Sequence, residues 1–349
     1  KSAECNTKDI KFKDTDWTLD GEKAILDANK VDKSVVVEII RISDFIRNPI
    51  FFINDDFPGE LKQGGLGDCW FLAALAAIED FPRVIKSIAV ARDEINGIYG
   101  FVFFIKNNWV GTIVDDYVFV KQNGHYYFSE CTCRRETWAS LLEKAYAKVY
   151  GGYEKLKGGH VGEAFENLSG QTRVVYNCSD ILTSQTKKDA LWESLLGRMN
   201  HHIGFGCETY PKPSNGVNKG PDGLILGHVY SVIRAVRFKP SNALNVQLVE
   251  VRNPWAHAEF TLSWNDKDTI SWKPGYATKL QHSLDDDGSF FMTYDDFLTH
   301  FKRIESCAFQ FAGECYEVFS DPLDFPDRKQ TITHDKLPPV VYIYHSFTG

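Results

Sequence analysis

With 349 residues, 43% of them apolar and 14% aromatic, the chain is long enough for one large domain or two compact halves with separate cores. A net charge of −8 and a pI near 5.7 argue against a nucleic-acid partner. The longest apolar run, Trp70 to Ile78, is too short to span a bilayer, and the polar start lacks a signal-peptide core.

Residues 1–50 read as a charged N-terminal extension with one predicted helix around Ser34–Ile46 and no assigned chemistry. An aromatic, aspartate-containing loop, Ile50–Gly59, leads to Gln63-Gly64-Gly65-Leu66-Gly67-Asp68-Cys69-Trp70-Phe71. The segment after it, through Glu79, is apolar on all sides and predicts a short buried helix. Tyr99–Ile105 and Trp109–Val120 predict strands joined by a turn at Lys106-Asn107-Asn108. Trp138, Leu141, Leu142, Ala145, Tyr146 and Val149 share one helical face, which Gly151-Gly152 closes. Glycines at 158–159 and 170 place a boundary near Gly170, dividing a first half (51–170) from a second (171–312). The second half predicts a helix at Lys188–Asn200, a strand at Ile203–Thr209 and a mobile loop at Tyr210–Gly223. An antiparallel strand pair at His228–Phe238 and Asn245–Arg252 follows. A strand near 289, a helix at Tyr294–Phe301 and a strand at Ile304–Phe311 complete it. The proline-containing tail, 313–349, is read as an interlobe strap or the start of a further domain. Because the chain begins at Lys1, it reads as an excised piece of a longer one.

Eight cysteines are too few for a disulfide scaffold in a chain of this length, and no paired C-x-x-C spacing suggests zinc. Asp68 is a candidate N-cap, which places Cys69 in the first helical turn. There the helix dipole is expected to favour the thiolate and lower the cysteine pKa. The glycines before it let the backbone bend and a substrate strand approach. Gln63 can offer its side-chain NH2 beside the Cys69 N–H as a two-donor oxyanion hole. Taken alone, a cysteine opening a core helix is more often a packing residue. Two further stretches alter that balance. Gly227-His228-Val229-Tyr230-Ser231-Val232 sets a histidine at the start of a β-branched strand, and Val251-Arg252-Asn253-Pro254-Trp255 ends the next strand in a turn. The order Cys, His, Asn, each at the mouth of an element, is that of papain-like cysteine proteases.

QGGLGDCWFL, GHVYSV and RNPW resemble the three active-site motifs of the calpain-type cysteine protease core, as does the LLEKAYAK helix at 141–148. The resemblance runs from about Phe51 to Gln310. It implies an α+β, papain-like two-lobed core, with a helical first lobe, an antiparallel β-rich second lobe and the active site in the cleft between them. Cys69 becomes the nucleophile, His228 its proton partner, Asn253 the residue orienting the imidazole, and Gln63 the oxyanion donor. Trp255 would shield the Asn253–His228 pair from water. The implied activity is limited, calcium-modulated cleavage of protein substrates in the reducing cytosol, with regulatory domains or a subunit outside this chain.

The resemblance also implies two calcium sites outside any EF-hand, of which the sequence has none. The first would take carboxylates of Glu60 and Glu136 with carbonyls of Ile53 and Asp55. The second would take Glu259, Asp266 and Asp287 with the carbonyl of Asp285. Ser289 replaces a glutamate ligand of the family, Asp55 a glycine, and Pro58 an arginine that bridges the lobes, so the family's interlobe salt bridge is expected to be missing. Two other classes compete with the protease: a catalytically silent calcium-binding scaffold, and a transglutaminase-like acyltransferase, which would favour Asp at the position of Asn253.

Overall fold

The computed structural model describes residues 5, 10–20, 35, 37–53, 60–214, 217–240, 245–257 and 260–309. The expected ligands Asp55 and Glu259, the substituted Pro58 and the tail 313–349 lie outside these residues.

The first half comprises β1 (Val37–Arg41), α1 (Ile42–Phe45), β2 (Leu61–Lys62), α2 (Cys69–Ile78), α3 (Pro82–Ile88), β3 (Ala91–Asp93), β4 (Ile98–Ile105), β5 (Asn108–Asp115), β6 (Tyr117–Lys121), β7 (Glu130–Cys131), α4 (Trp138–Tyr150) and α5 (Val161–Ser169). The helix expected at Ser34–Ile46 is instead strand β1 and a single turn. Its β-branched run favours an extended chain, and pairing with β6 realises it. Trp17, Leu19, Ile42 and Ile46 are buried in the same core as α2, so the described residues before 51 are part of this half rather than an extension of it.

Lys106 and Asn107 both adopt positive φ (49° and 63°), the two-residue hairpin turn that joins β4 to β5. The strand expected to continue to Val120 breaks at Asp116. Asp115 accepts hydrogen bonds from the N–H groups of Asp14 (2.8 Å) and Tyr117 (3.1 Å) and pairs with the Lys144 ammonium. Beyond the break, β6 turns away to join β1. Helix α4 ends as expected, at Gly151 with φ 90°. It is nevertheless buried all round from Trp138 to Ala147, including Glu143 and Lys144, so its apolar stripe marks only part of its packed surface.

The second half comprises β8 (Val174–Asn177), α6 (Cys178–Leu182), α7 (Gln185–Leu196), β9 (Ile203–Thr209), β10 (Val229–Phe238), β11 (Val246–Arg252), α8 (Tyr276–Leu280), β12 (Ser289–Thr293), α9 (Tyr294–His300) and β13 (Phe301–Ala308). Its six strands form one antiparallel sheet in the order β12-β11-β10-β9-β13-β8. Ser184 and Thr293 cap α7 and α9 through their hydroxyls. A second hydrophobic core, centred on Trp192, Phe205, Tyr230, Val251 and Ile304, lies in this half. The architecture is thus mixed helix and antiparallel sheet. No helix among the described residues is long and apolar enough to cross a membrane.

Helix α2 joins the two halves. All its residues after Cys69 are buried, and the Ser231 hydroxyl of β10 donates to the Ala73 carbonyl at 2.9 Å. At its far end Arg198, 2% exposed, donates to the Ala77 carbonyl (3.1 Å) and pairs with Asp80 (2.9 Å). A guanidinium there complements the negative end of the helix dipole.

Lys144 is buried. Lys144→Met leaves the Asp115 carboxylate without its cation and is expected to cost about 3 kcal/mol or more of stability in denaturant unfolding. A loss below ~1 kcal/mol would contradict this ion pair's structural role.

Candidate active site

The loop before Cys69 is shaped by its own neighbours. A Cβ at Gly64 would meet the Phe128 carbonyl oxygen at 2.1 Å, and the Gly65 N–H donates to the Tyr127 carbonyl at 2.9 Å. Gly64 therefore serves close packing of the loop on residues 127–128, and with Gly65 and Gly67 it also lines the cleft. The backbone N–H of Gln63 donates across the molecule to the Pro254 carbonyl at 2.8 Å, which fixes the loop against the Asn253 turn.

Cys69 opens α2 as expected, but Asp68 does not cap the helix: its side chain bonds no helical N–H. It is fully buried beside Glu143, one oxygen of which accepts from the Ser129 N–H (2.8 Å) and hydroxyl (2.5 Å). Burial first, and then the Glu143 carboxyl, raise Asp68 well above the usual carboxylate range. Asp68 Oδ1 lies 3.5 Å from the Gln63 amide nitrogen, which also donates to the Leu66 carbonyl at 2.6 Å. Gln63 thus has acceptors for both amide hydrogens within the loop, a close one at Leu66 and a long one at Asp68.

His228 follows Gly227, whose φ of +60° favours glycine. Its ring is 3% exposed, and Nε2 lies 2.8 Å from Asn253 Oδ1. The Asn253 amide nitrogen donates to the His257 carbonyl at 2.6 Å, which fixes the amide orientation and leaves Oδ1 facing the imidazole. An amide oxygen only accepts, so Nε2 carries the ring proton and Nδ1 presents a lone pair. Trp255 covers the pair, its ring 4.6 Å from the His228 ring centre, and its N–H donates to the same Asn253 oxygen at 3.1 Å. Cys69, His228, Gln63 and Trp255 line one cleft of about 640 Å³, and Asn253 is wholly buried behind the ring.

The expected lowering of the Cys69 pKa is reversed. Burial outweighs the helix terminus and pushes the thiol up to about 11, although the N–H groups of Val229 and Trp70 bond the sulfur and oppose the shift. Burial likewise pushes His228 down to about 4, against its hydrogen bond to Asn253. The resting pair is therefore a thiol beside a neutral imidazole.

The expected calcium ligands are dispersed or engaged. Glu60 pairs with Arg252 at 3.1 Å, and Glu136 Oε1 accepts from the Ile53 N–H at 3.3 Å. Asp266 Oδ1 bonds His282 Nε2 at 2.8 Å, while its Oδ2 is buried without a hydrogen-bond partner. Asp285 accepts from the Ser283 hydroxyl (2.6 Å) and Asp287 from the Ser289 N–H (2.8 Å). Among the described residues no three His, Cys, Asp or Glu side chains gather as a metal site. The halves do share an ion pair, centred on a residue with no role assigned from sequence: Arg252 reaches both Glu60, expected as a calcium ligand, and, at 3.5 Å, Glu79. Arg252 stands inside RNPW, one residue before Asn253, and that adjacency was its only signal. The Asp68–Glu143 pair was also missed; a glutamate within a helix buried on every side was the available clue.

The family profile described as calpain family cysteine protease matches residues 9–308. The chain belongs to the calpain cysteine protease family. It is similar to Calpain-A of Drosophila melanogaster, 33% identical over 78% of this chain and 33% of that protein. It also resembles human Calpain-9, 32% identical over 76% and 39%, and the Calpain-type cysteine protease DEK1 of Arabidopsis thaliana, 34% identical over 74% and 12%. The chain therefore corresponds to about a third of the length of Calpain-A and to less of DEK1. All described cysteines of this family member are free thiols.

A thiol at about 11 beside an imidazole at about 4 makes a direct prediction. The ultraviolet absorbance of the Cys69 thiolate, taken as wild type minus Cys69→Ala, should stay absent through neutral pH and rise only as pH approaches 11. Absorbance already present between pH 5 and 8 would mean a thiolate–imidazolium pair at rest.

Proposed function

We propose that this calpain-family chain is the catalytic core of a papain-like, two-lobed cysteine endopeptidase that cuts proteins through Cys69, His228 and Asn253. The observation that carries this reading is the buried 2.8 Å contact of His228 Nε2 with Asn253 Oδ1, beside a cleft that Cys69 also lines. With Nε2 protonated, Nδ1 is the base that takes the thiol proton as sulfur attacks the scissile carbonyl. The imidazolium so formed is stabilised by Asn253 and then gives its proton to the leaving amine. The backbone N–H groups at the start of α2 meet the developing oxyanion, joined by the Gln63 amide as it exchanges its long contact with Asp68 for the substrate oxygen. Water bound in place of the amine then hydrolyses the thioester by the same exchange in reverse.

No step in this scheme runs through calcium. Calcium modulation remains part of the proposal only as an influence on how the lobes align. The free thiols and the proposed reactive Cys69 suit a reducing compartment, and we propose a cytoplasmic location on that ground. Protein substrates, regulatory domains and any subunit belong to the same proposal.

The test is labelling by a thiol-directed peptidyl epoxide, followed by peptide mass spectrometry and paired with cleavage of an unstructured protein. Label is expected on Cys69 with and without Ca2+, and His228→Ala should slow cleavage by about 10²–10⁴-fold. Label only in Ca2+ would restore a cation-dependent assembly. No label in either condition would favour a silent scaffold, and incorporation of an amine into glutamine residues would identify an acyltransferase.

A further inference from the structure

The cleft wall beside the thiol carries charge that the proposed chemistry does not use. His160, Glu208 and Lys212 line the same cavity as Cys69 and His228. Glu208 lies near the end of β9, directly opposite Val229 of β10, whose N–H bonds the Cys69 sulfur. Strand pairing therefore delivers the carboxylate one strand away from the reacting atom. Its only ion-pair partner among the described residues is His160 Nδ1 at 3.5 Å, and that nitrogen is buried without a hydrogen bond. The next cation along the sheet, Arg303 on β13, is turned to Glu305. Lys212 lies beyond His228 along the same β9–β10 wall. Its stem packs over Gly227, within 3.2 Å of where a Cβ would stand, and its charge bears on His228 while that of Glu208 bears on Cys69.

A carboxylate in this position is hydrated while the cleft is open and loses water when a peptide fills it. Without a hydrogen-bonded cation, that desolvation is unfavourable unless the incoming peptide brings one. The two charges flank His228 along β10, Lys212 against Gly227 and Glu208 opposite Val229. In the proposed chemistry His228 protonates the leaving amine, so Lys212, whose charge bears on His228, is assigned to the leaving portion of the substrate. Glu208, whose charge bears on Cys69, is assigned to the acyl portion.

We propose that Glu208 is a specificity residue of this cleft, selecting peptides that carry a lysine or arginine side chain in the acyl portion next to the scissile bond. The inference rests on the endopeptidase reading and adds the substrate class to it. His160 is the placeholder: its loose contact with Glu208 gives way when a substrate ammonium or guanidinium forms closer, charge-assisted hydrogen bonds. Lys212 discourages a second cation in the leaving portion.

The experiment compares rates of Cys69 labelling by three peptidyl epoxides that differ only in one acyl-side residue: lysine, norleucine or glutamate. Norleucine matches the lysine stem without its charge. Wild type should react with the lysine reagent about tenfold faster than with norleucine, and slowest with glutamate. In Glu208→Gln, nearly identical in shape, the lysine advantage should shrink to within about twofold while the norleucine rate is kept. In Glu208→Lys the order should reverse in favour of glutamate. Equal rates for lysine and norleucine in wild type, or an advantage that survives Glu208→Gln, would overturn the proposal while leaving the protease reading intact. Failure of all three reagents to label Cys69 would instead strike at that reading. Cleavage-site profiling of an unstructured protein by wild type and Glu208→Gln gives the same comparison with natural side chains.

Discussion

Everything at the cleft depends on how α2 is seated against the second half. This helix begins with the candidate nucleophile and is gripped at several levels by the sheet that carries the imidazole. Near its start, the Gln63 N–H donates to the Pro254 carbonyl. At its middle, the Ser231 hydroxyl reaches the Ala73 carbonyl. At its end, Arg198 holds the Ala77 carbonyl and Asp80, and Arg252 holds Glu79. Each buried hydrogen bond is worth only about 1 kcal/mol, but losing one partner leaves a buried polar group unsatisfied and costs more. The seat is thus specific as well as stable. It sets the sulfur and the ring on facing walls of one cleft without either belonging to the other's core.

The polar groups around the cleft follow from the same burial. Where the interior is dry, carboxyls and thiols keep their protons and imidazole loses its own. Asp68 is the clearest case. A carboxylate cap would have steadied α2 and repelled a thiolate beside it. With its carboxyl pushed up by burial and by Glu143, it stands instead between Gln63 and the Glu143–Ser129 contact. Cys69 and His228 respond in the same way, so both groups are neutral in the empty cleft.

Much of the fold was legible because local rules and packing agree. The apolar run after Cys69, the Gly151 helix stop and the antiparallel pair carrying His228 and Asn253 all lie where periodicity and turn chemistry put them. The run Val35–Ile40 misled because a helix-like sequence pattern competed with β-branched stiffness, and the partner strand that decides the matter lies far away in sequence. The break at Asp116 was hidden for the same reason: a buried ammonium from α4 stabilises the carboxylates there. At the site, the residue types were readable and their protonation was not, since desolvation depends on what covers a group. Neither the Arg252 tie nor the charged wall at Glu208 has a local signature; both exist only once distant strands meet.

The most direct test is to ask whether one small reagent can touch both reacting atoms. 1,3-Dibromoacetone alkylates a thiol and then, through its second carbon, a nucleophile within a few ångströms. Seating α2 against β10 as described predicts a single cross-link between the peptides containing Cys69 and His228, formed in the folded protein and lost in His228→Ala. Alkylation of Cys69 alone, or a bridge to some other side chain, would show that the sulfur and the imidazole do not share a cleft.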